Sequence, residues 1–386
     1  MNIVFLKRIL ALVVITFFAI STIIAQEKNQ NIVVICIDGF RWQEVFTGAD
    51  SLLINDPAYV KDTALVKEQF WAETPAERRQ LLMPFLWNVV AKKGQLYGDQ
   101  LFDNKMTVKN AFCISYPGYS EMLSGHPDAL LIPDLPINNR NTNVLEYLDQ
   151  QPVYNGKVAA FTSWNIFPYI FNKKHTSFFV NSGYQKMDAA SSDTLAFVNE
   201  TEDGIKRKKN TRYDLLTFLN AKQYISSHHP KVLFLGFGET DLFAHANRYD
   251  LYLQQANNID KMIYELWYFI QTDPFYKNNT SLIITTDHGR GEYASSWHDH
   301  NSLVKGSKDI WLALMGPFVP QEGEVKTKAR YYEKQIASTI TMLLNVNYEN
   351  NKTAKPLDIL KSNNTATSKP MDIGGAEGII VNSATH

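Results

Sequence analysis

A chain of 386 residues with 45% hydrophobic content can bury a large core in one domain or two. Its formal net charge of -1, with 38 Lys and Arg against 39 Asp and Glu, gives no field for steering nucleic acid or an anionic membrane. No nucleic-acid partner is implied, and an anionic substrate needs a local positive charge such as a metal ion. The two cysteines, Cys36 and Cys113, exclude a disulfide scaffold; both fall in apolar segments and are expected as buried free thiols, with one bridge between them as the alternative.

Lys7 and Arg8 precede an apolar run from Ile9 to Ala25, and polar Gln26, Glu27 and Lys28 follow. This is the layout of a secretory signal peptide over residues 1–25, which predicts export to the periplasm or beyond. An uncleaved membrane anchor is the alternative, because Ile23 is bulky for a cleavage site. One catalytic domain is expected over 27–361, with a helical cover around 50–110, and the Asn/Ser/Thr/Gly-rich stretch 362–386 reads as a loose tail.

Asn31 to Ile37 is a continuous apolar run of strand length, suited to a parallel strand covered on both faces, and it stops at Asp38-Gly39. From Asp50 to Asn110 come helical signals, including the amphipathic Leu81 to Val90, closed by strand-like Gln95 to Gly98. In Ala111 to Gly125, Ser115 has N-cap character, Pro117 suits a first helical turn and Gly125 a helix stop. A hydroxyl there faces the free backbone donors that welcome anions. A Pro/Asn-rich loop over 132–140 carries Asn138 and Asn139, and Asn143 to Gln150 reads as a helix.

Lys157 to Phe161 and Val232 to Phe237 are further strand candidates, and Tyr213 to Ser226 is helical. After the second strand, Asp241 and His245 stand four apart, so on a helix they share a face and can bind one ion. Ile259, Met262, Ile263, Leu266 and Ile270 mark a packing helix. Leu282-Ile283-Ile284 is a buried strand that ends before Asp287-His288-Gly289, and a turn leads on to Trp297-His298-Asp299-His300. Ile310 to Leu314 reads as a last apolar strand and Gln335 to Leu344 as a helix.

Strands alternating with helices imply an α/β fold with a mainly parallel central sheet, in which ligands gather at the carboxyl ends of the strands. Asp38, Asp241 and Asp287 all follow strand candidates. Together with His245, His288 and His300 they offer N/O ligands for two divalent ions, with Ser115 beside them as a nucleophile. Two ions about 4 Å apart clamp the attacking and leaving oxygens of an in-line displacement at phosphorus. Imidazole with carboxylate favours Zn2+, and Mn2+ is the alternative.

The order and spacing of these landmarks, from about Asn31 to Leu344, resemble the alkaline phosphatase superfamily, and most closely its nucleotide pyrophosphatase/phosphodiesterase branch. Glu239 to His245 is similar to that branch's Glu-Pro-Asp-x-x-Gly-His, Asp287-His288-Gly289 to its Asp-His-Gly, and Phe112 to Gly125 to the segment with its nucleophile. The resemblance implies an alkaline phosphatase-like sandwich with Ser115 as nucleophile. It further implies Asp38, Ser115, Asp287 and His288 around one zinc, and Asp241, His245 and His300 around the other. Context after the motif prefers His300 over His298. Asn138 or Asn139 would take the place of the family's phosphate-contacting asparagine. The expected activity is hydrolysis of a small-molecule phosphate ester, with a diester preferred because Thr162 to Asn165 offers no Lys-x-Arg pair like that of related monoesterases. A phosphomonoesterase is the nearest rival. A sulfatase would want Arg where Tyr119 stands, an exported phosphosugar mutase would lack a substrate pool, and a non-catalytic metal-binding or glycan-binding protein would not need Ser115.

Overall fold

A computed structural model describes residues 30–130, 134–190, 192–348 and 352–359. The expected signal segment, 1–25, and tail, 362–386, lie outside the described residues. Eleven strands are present among them: β1 (Asn31–Ile37), β2 (Gly94–Tyr97), β3 (Asn104–Thr107), β4 (Val158–Thr162), β5 (Phe179–Ser182), β6 (Val232–Phe237), β7 (Thr280–Thr285), β8 (Asp309–Ile310), β9 (Leu312–Met315), β10 (Gly323–Glu324) and β11 (Ala329–Tyr332). The main sheet has eight strands in the order β10-β2-β9-β7-β1-β6-β4-β5, and a small sheet runs β11-β3-β8. β7, β1, β6, β4 and β5 are mutually parallel, whereas β9 is antiparallel to both β7 and β2.

β1 shows why the sheet is buried on both faces. Its side chains alternate, so Val33, Ile35 and Ile37 enter one core and Ile32, Val34 and Cys36 the other. The first core is closed by the long helix Tyr249–Thr272 through Ile259, Ile263 and Leu266, and the second by Met122, Leu123 and Ile340 from the helices Ser115–Ser124 and Ile336–Leu343. Each such side chain contributes roughly 1.5–3 kcal/mol of burial. Cys36 and Cys113 are both buried free thiols.

The parallel register aligns the strand ends that matter. Ile37 lies beside Phe237 and Cys36 beside Thr285, so Asp38, Gly238 and Asp287 emerge along one edge of the sheet.

Three local expectations are corrected. Ser115 is the first residue of its helix and not a cap: Ile114 holds the N-cap position without a side-chain bond, because the Ser115 hydroxyl turns inward to other partners. The 310–314 strand is split at Trp311 between the two sheets, with the Trp311 indole donating to the Phe40 carbonyl at 2.8 Å. It is the last apolar strand; β10 and β11, which follow it, are short and only partly buried and carry no apolar run. Finally, β2 is an integral strand of the main sheet, paired with β9 and β10, rather than the end of a cover.

Candidate active site and metal centre

The Ser115 segment is set by a turn with a left-handed residue. Cys113 adopts φ 54°, uncommon for a residue with a side chain, and Asn110 Oδ1 holds it by accepting from the Phe112 and Cys113 N–H groups at 3.2 and 2.8 Å. The helix Ser115–Ser124 then begins against β7's end, where Gly118 packs so close to the Asp287 carbonyl that a Cβ would sit 2.3 Å from its oxygen. Ser115 Oγ lies 3.3 Å from Asp38 Oδ1 and 3.1 Å from His288 Nε2.

Asp241 and His245 share a face of the helix Glu239–His245. Asp214 fixes the start of that helix by accepting from the Gly238 and Glu239 N–H groups at 2.8 and 3.1 Å, and Thr240 Oγ1 donates to the Asp38 carbonyl at 2.7 Å. Three segments distant in sequence are thereby joined.

The ligand set converges in space. Donor atoms of Asp241, His245 and His300 lie within 4.8 Å of one another, as do those of Asp38, Asp241 and His288. His245 Nε2 and His300 Nε2 are 2.9 Å apart, and the His288 and His300 rings stack at 3.9 Å. Asp287 Oδ2 is 3.6 Å from His288 Nε2. His298 stays outside the cluster, beside Tyr59 and Trp297.

Three features of these residues fit divalent cations. His288 Nδ1 faces the Gly289 carbonyl at 2.9 Å and His300 Nδ1 the Cys113 carbonyl at 3.3 Å. Donation there leaves each Nε2 lone pair pointing into the cluster. Asp287 Oδ2 is buried with no hydrogen-bond partner, which is costly unless a cation meets it. Three carboxylates, Asp38, Asp241 and Asp287, gather here, and Arg290 pairs with only one of them, Asp241. Burial, then the Asp38 charge, pushes the Asp287 carboxyl well up from its ordinary range, whereas burial, then the neighbouring His288, pulls His300 well down. Burial opposes charge on His288 too, but Asp287 and Asp38 outweigh it and raise that imidazole.

Sequence reasoning missed three residues at this site. Arg290 is fully buried beneath the cluster, where its guanidinium donates to the Gly39 carbonyl at 2.9 Å and the His298 carbonyl at 2.6 Å and pairs with Asp241. One side chain thus ties together the segments bearing Asp38, Asp241 and His300. The second is Tyr119, whose hydroxyl donates to Asp38 Oδ2 at 3.0 Å and so leaves Oδ1 facing Ser115 and His288. The third is Asp134, which accepts from the Tyr116 N–H at 3.1 Å. Position next to Asp-His-Gly was a signal for Arg290; nothing in spacing marks the other two.

A cavity of about 140 Å³ opens over Ser115, walled by Asp38, Asp134, Trp164, Thr211, Gly238, Asp241, His245 and His300. Asn139 does not reach it: its amide donates to Ser120 Oγ at 2.9 Å and its Oδ1 accepts from the Asn141 N–H. Asn138 is also absent from the wall. The loop instead presents Asp134 to the cavity.

No protein-family model matches this chain. It is 24% identical over 183 residues to the 2,3-bisphosphoglycerate-independent phosphoglycerate mutase of Gracilaria tenuistipitata var. liui, a match that takes in 46% of this chain and 33% of that protein. The chain therefore spans about a third of the length of that relative. Among solved structures it resembles a putative sulfatase from Bacteroides thetaiotaomicron VPI-5482, with TM-score 0.57 and 12% identity over 89% of this chain and 76% of that one. It also resembles the alkaline phosphatase PafA, with TM-score 0.53 and 9% identity over 85% of this chain and 98% of that one. The fold is an α/β sandwich with a large, mostly parallel central sheet flanked by helices, matching these alkaline phosphatase-like neighbours.

Proposed function

We propose that the protein is an exported phosphoric ester hydrolase of the phosphodiesterase type that works with two divalent ions, zinc before manganese, and uses Ser115 as its nucleophile. The observation that carries this is Ser115 Oγ, seated at a helix start and within 3.3 and 3.1 Å of Asp38 and His288, at the floor of the cavity. Asp38, Ser115, Asp287 and His288 would hold one ion, and Asp241, His245 and His300 the other. Asp241 stands close enough to Asp38 and His288 to serve either. The bound ions would lower the pKa of the serine hydroxyl and balance charge on the phosphoryl oxygens.

Ser115 Oγ forms a bond to phosphorus in line with the leaving ester oxygen, which departs with its electron pair. Water then cleaves the phosphoseryl ester and returns the hydroxyl, so a diester and water yield a monoester and an alcohol. Tyr119 keeps Asp38 oriented throughout, and Arg290 keeps Asp241 in place. A phosphatase acting on monoesters would use the same groups, and the names of the structural neighbours admit both it and a sulfatase.

The test compares turnover of bis-p-nitrophenyl phosphate, p-nitrophenyl phosphate and p-nitrophenyl sulfate by the zinc-loaded protein, with 3-phosphoglycerate isomerisation as a further arm because of the mutase likeness. Diester turnover is expected to lead. Ser115→Ala is expected to retain zinc and lose at least about 10³-fold in kcat; undiminished turnover in that variant sinks the covalent scheme. No helix among the described residues is long and apolar enough to cross a membrane. Export is proposed from the sequence of residues 1–25 and is tested by fractionating expressing cells.

A further inference from the structure

The cavity wall carries a carboxylate that the hydrolytic scheme does not use. Asp134, at φ 51°, turns its side chain to the start of the Ser115–Ser124 helix and takes the Tyr116 N–H at 3.1 Å. A backbone donor that would otherwise greet a phosphoryl oxygen is thus already engaged by an anion of the protein's own. Among the described residues the wall has no lysine or arginine to offset it. Arg290, the nearest buried cation to the ligand cluster, is committed below to Asp241 and two carbonyls, and Arg140 of the same loop is paired with Asp128.

A phosphoryl group seated over Ser115 in a cavity of about 140 Å³ therefore shares that small space with the Asp134 carboxylate. The repulsion acts once on the single charge of a diester and twice on a monoester dianion. We infer that Asp134 is a charge filter that selects monoanionic esters and rejects dianionic terminal phosphoryl groups. The inference rests on the proposed seating of the substrate over Ser115, and it assigns the diester preference to one side chain.

The variant to make is Asp134→Asn, since asparagine accepts the left-handed backbone and keeps an oxygen for the Tyr116 N–H. Binding of sulfate, a dianion, and of diethyl phosphate, a monoanion, is measured by calorimetry on the zinc-loaded protein at pH 8. The ratio of sulfate affinity to diethyl phosphate affinity is expected to rise about tenfold in the variant, the scale of one unit charge acting across several ångströms at intermediate dielectric. The ratio of kcat/KM for bis-p-nitrophenyl phosphate over p-nitrophenyl phosphate is expected to fall by a similar factor. An unchanged binding ratio, in a variant that binds both anions and retains its zinc, overturns the filter and leaves the proposed site standing. Failure of both proteins to bind either anion overturns the filter and the seating together.

Discussion

At the strand ends the three candidate carboxylate ligands are each held by a further group, whereas the loop carrying Asp134 is tied mainly by polar contacts near solvent. Asp38 is held by Tyr119, Asp241 by Arg290, and Asp287 by the Gly39 N–H at 3.0 Å; Asp38 and Asp287 are buried and Asp241 is half-buried. On the other side Asp134 follows a stretch anchored by Asp128, which pairs with Arg140 and Asn141, and Arg140 is 57% exposed. The contrast separates two tasks. Chemistry at phosphorus demands ligands that do not move, and burial supplies that. Choice among substrates needs only a charge in the right place, and a loop can supply that without disturbing the sheet.

The largest break in this contrast is expected from Arg290→Met. Removing the guanidinium leaves Asp241 without its partner and two buried carbonyls, of Gly39 and His298, without a donor. Loss of stability of about 3–5 kcal/mol is expected in urea unfolding of the metal-free protein, together with loss of bound zinc by elemental analysis. Arg290→Lys keeps the charge but not the fork and is expected to recover only part of both. Wild-type zinc content in Arg290→Met would show that the hold on Asp241 plays no part in binding the metal.

A smaller effect is expected from Tyr119→Phe. Burial and the Asp38 charge push the Tyr119 phenol well up, so it stays a neutral donor to Asp38 Oδ2. The ring keeps its edge-on contact with Phe167 at 4.5 Å, and only the hydroxyl is lost. Zinc affinity is expected to fall about tenfold, the low end for a group that orients a ligand; competition with a chelator of known affinity measures it. Unchanged affinity would remove Tyr119 from the ligand-orienting set.

The smallest effect belongs to the loop. Burial works against ionisation of Asp128, but Arg140, the Leu130 N–H and Asn141 outweigh it and hold the carboxyl at about 2. The folded value is below the unfolded one, so the stabilisation is present above about pH 4 and is lost as pH falls toward 2. Because Arg140 is mostly exposed, Arg140→Gln is expected to cost less than about 1 kcal/mol at pH 7, and that cost should shrink as acid protonates Asp128. Urea unfolding of the metal-free protein across this range checks it. Zinc content should not change; a loss would mean that the loop shares in building the metal site.

The sequence by itself determined the strands β1, β6 and β7 and the polar residues at their ends, because runs buried on both faces are continuous and apolar and stop abruptly where the chain leaves the sheet. It also placed Asp241 and His245 on one helical face, since four residues make about one turn. β10 and β11 left no such trace, being short and half-buried, and Ser115's inward turn could not be distinguished from capping without its partners 77 and 173 residues away. Only the tertiary structure decided that Arg290 lies under the ligands, that Tyr119 orients Asp38, and that Asp134 rather than Asn138 or Asn139 faces the cavity. Each of these rests on a bond between segments far apart in the chain, and such bonds have no period or spacing that a linear sequence can display.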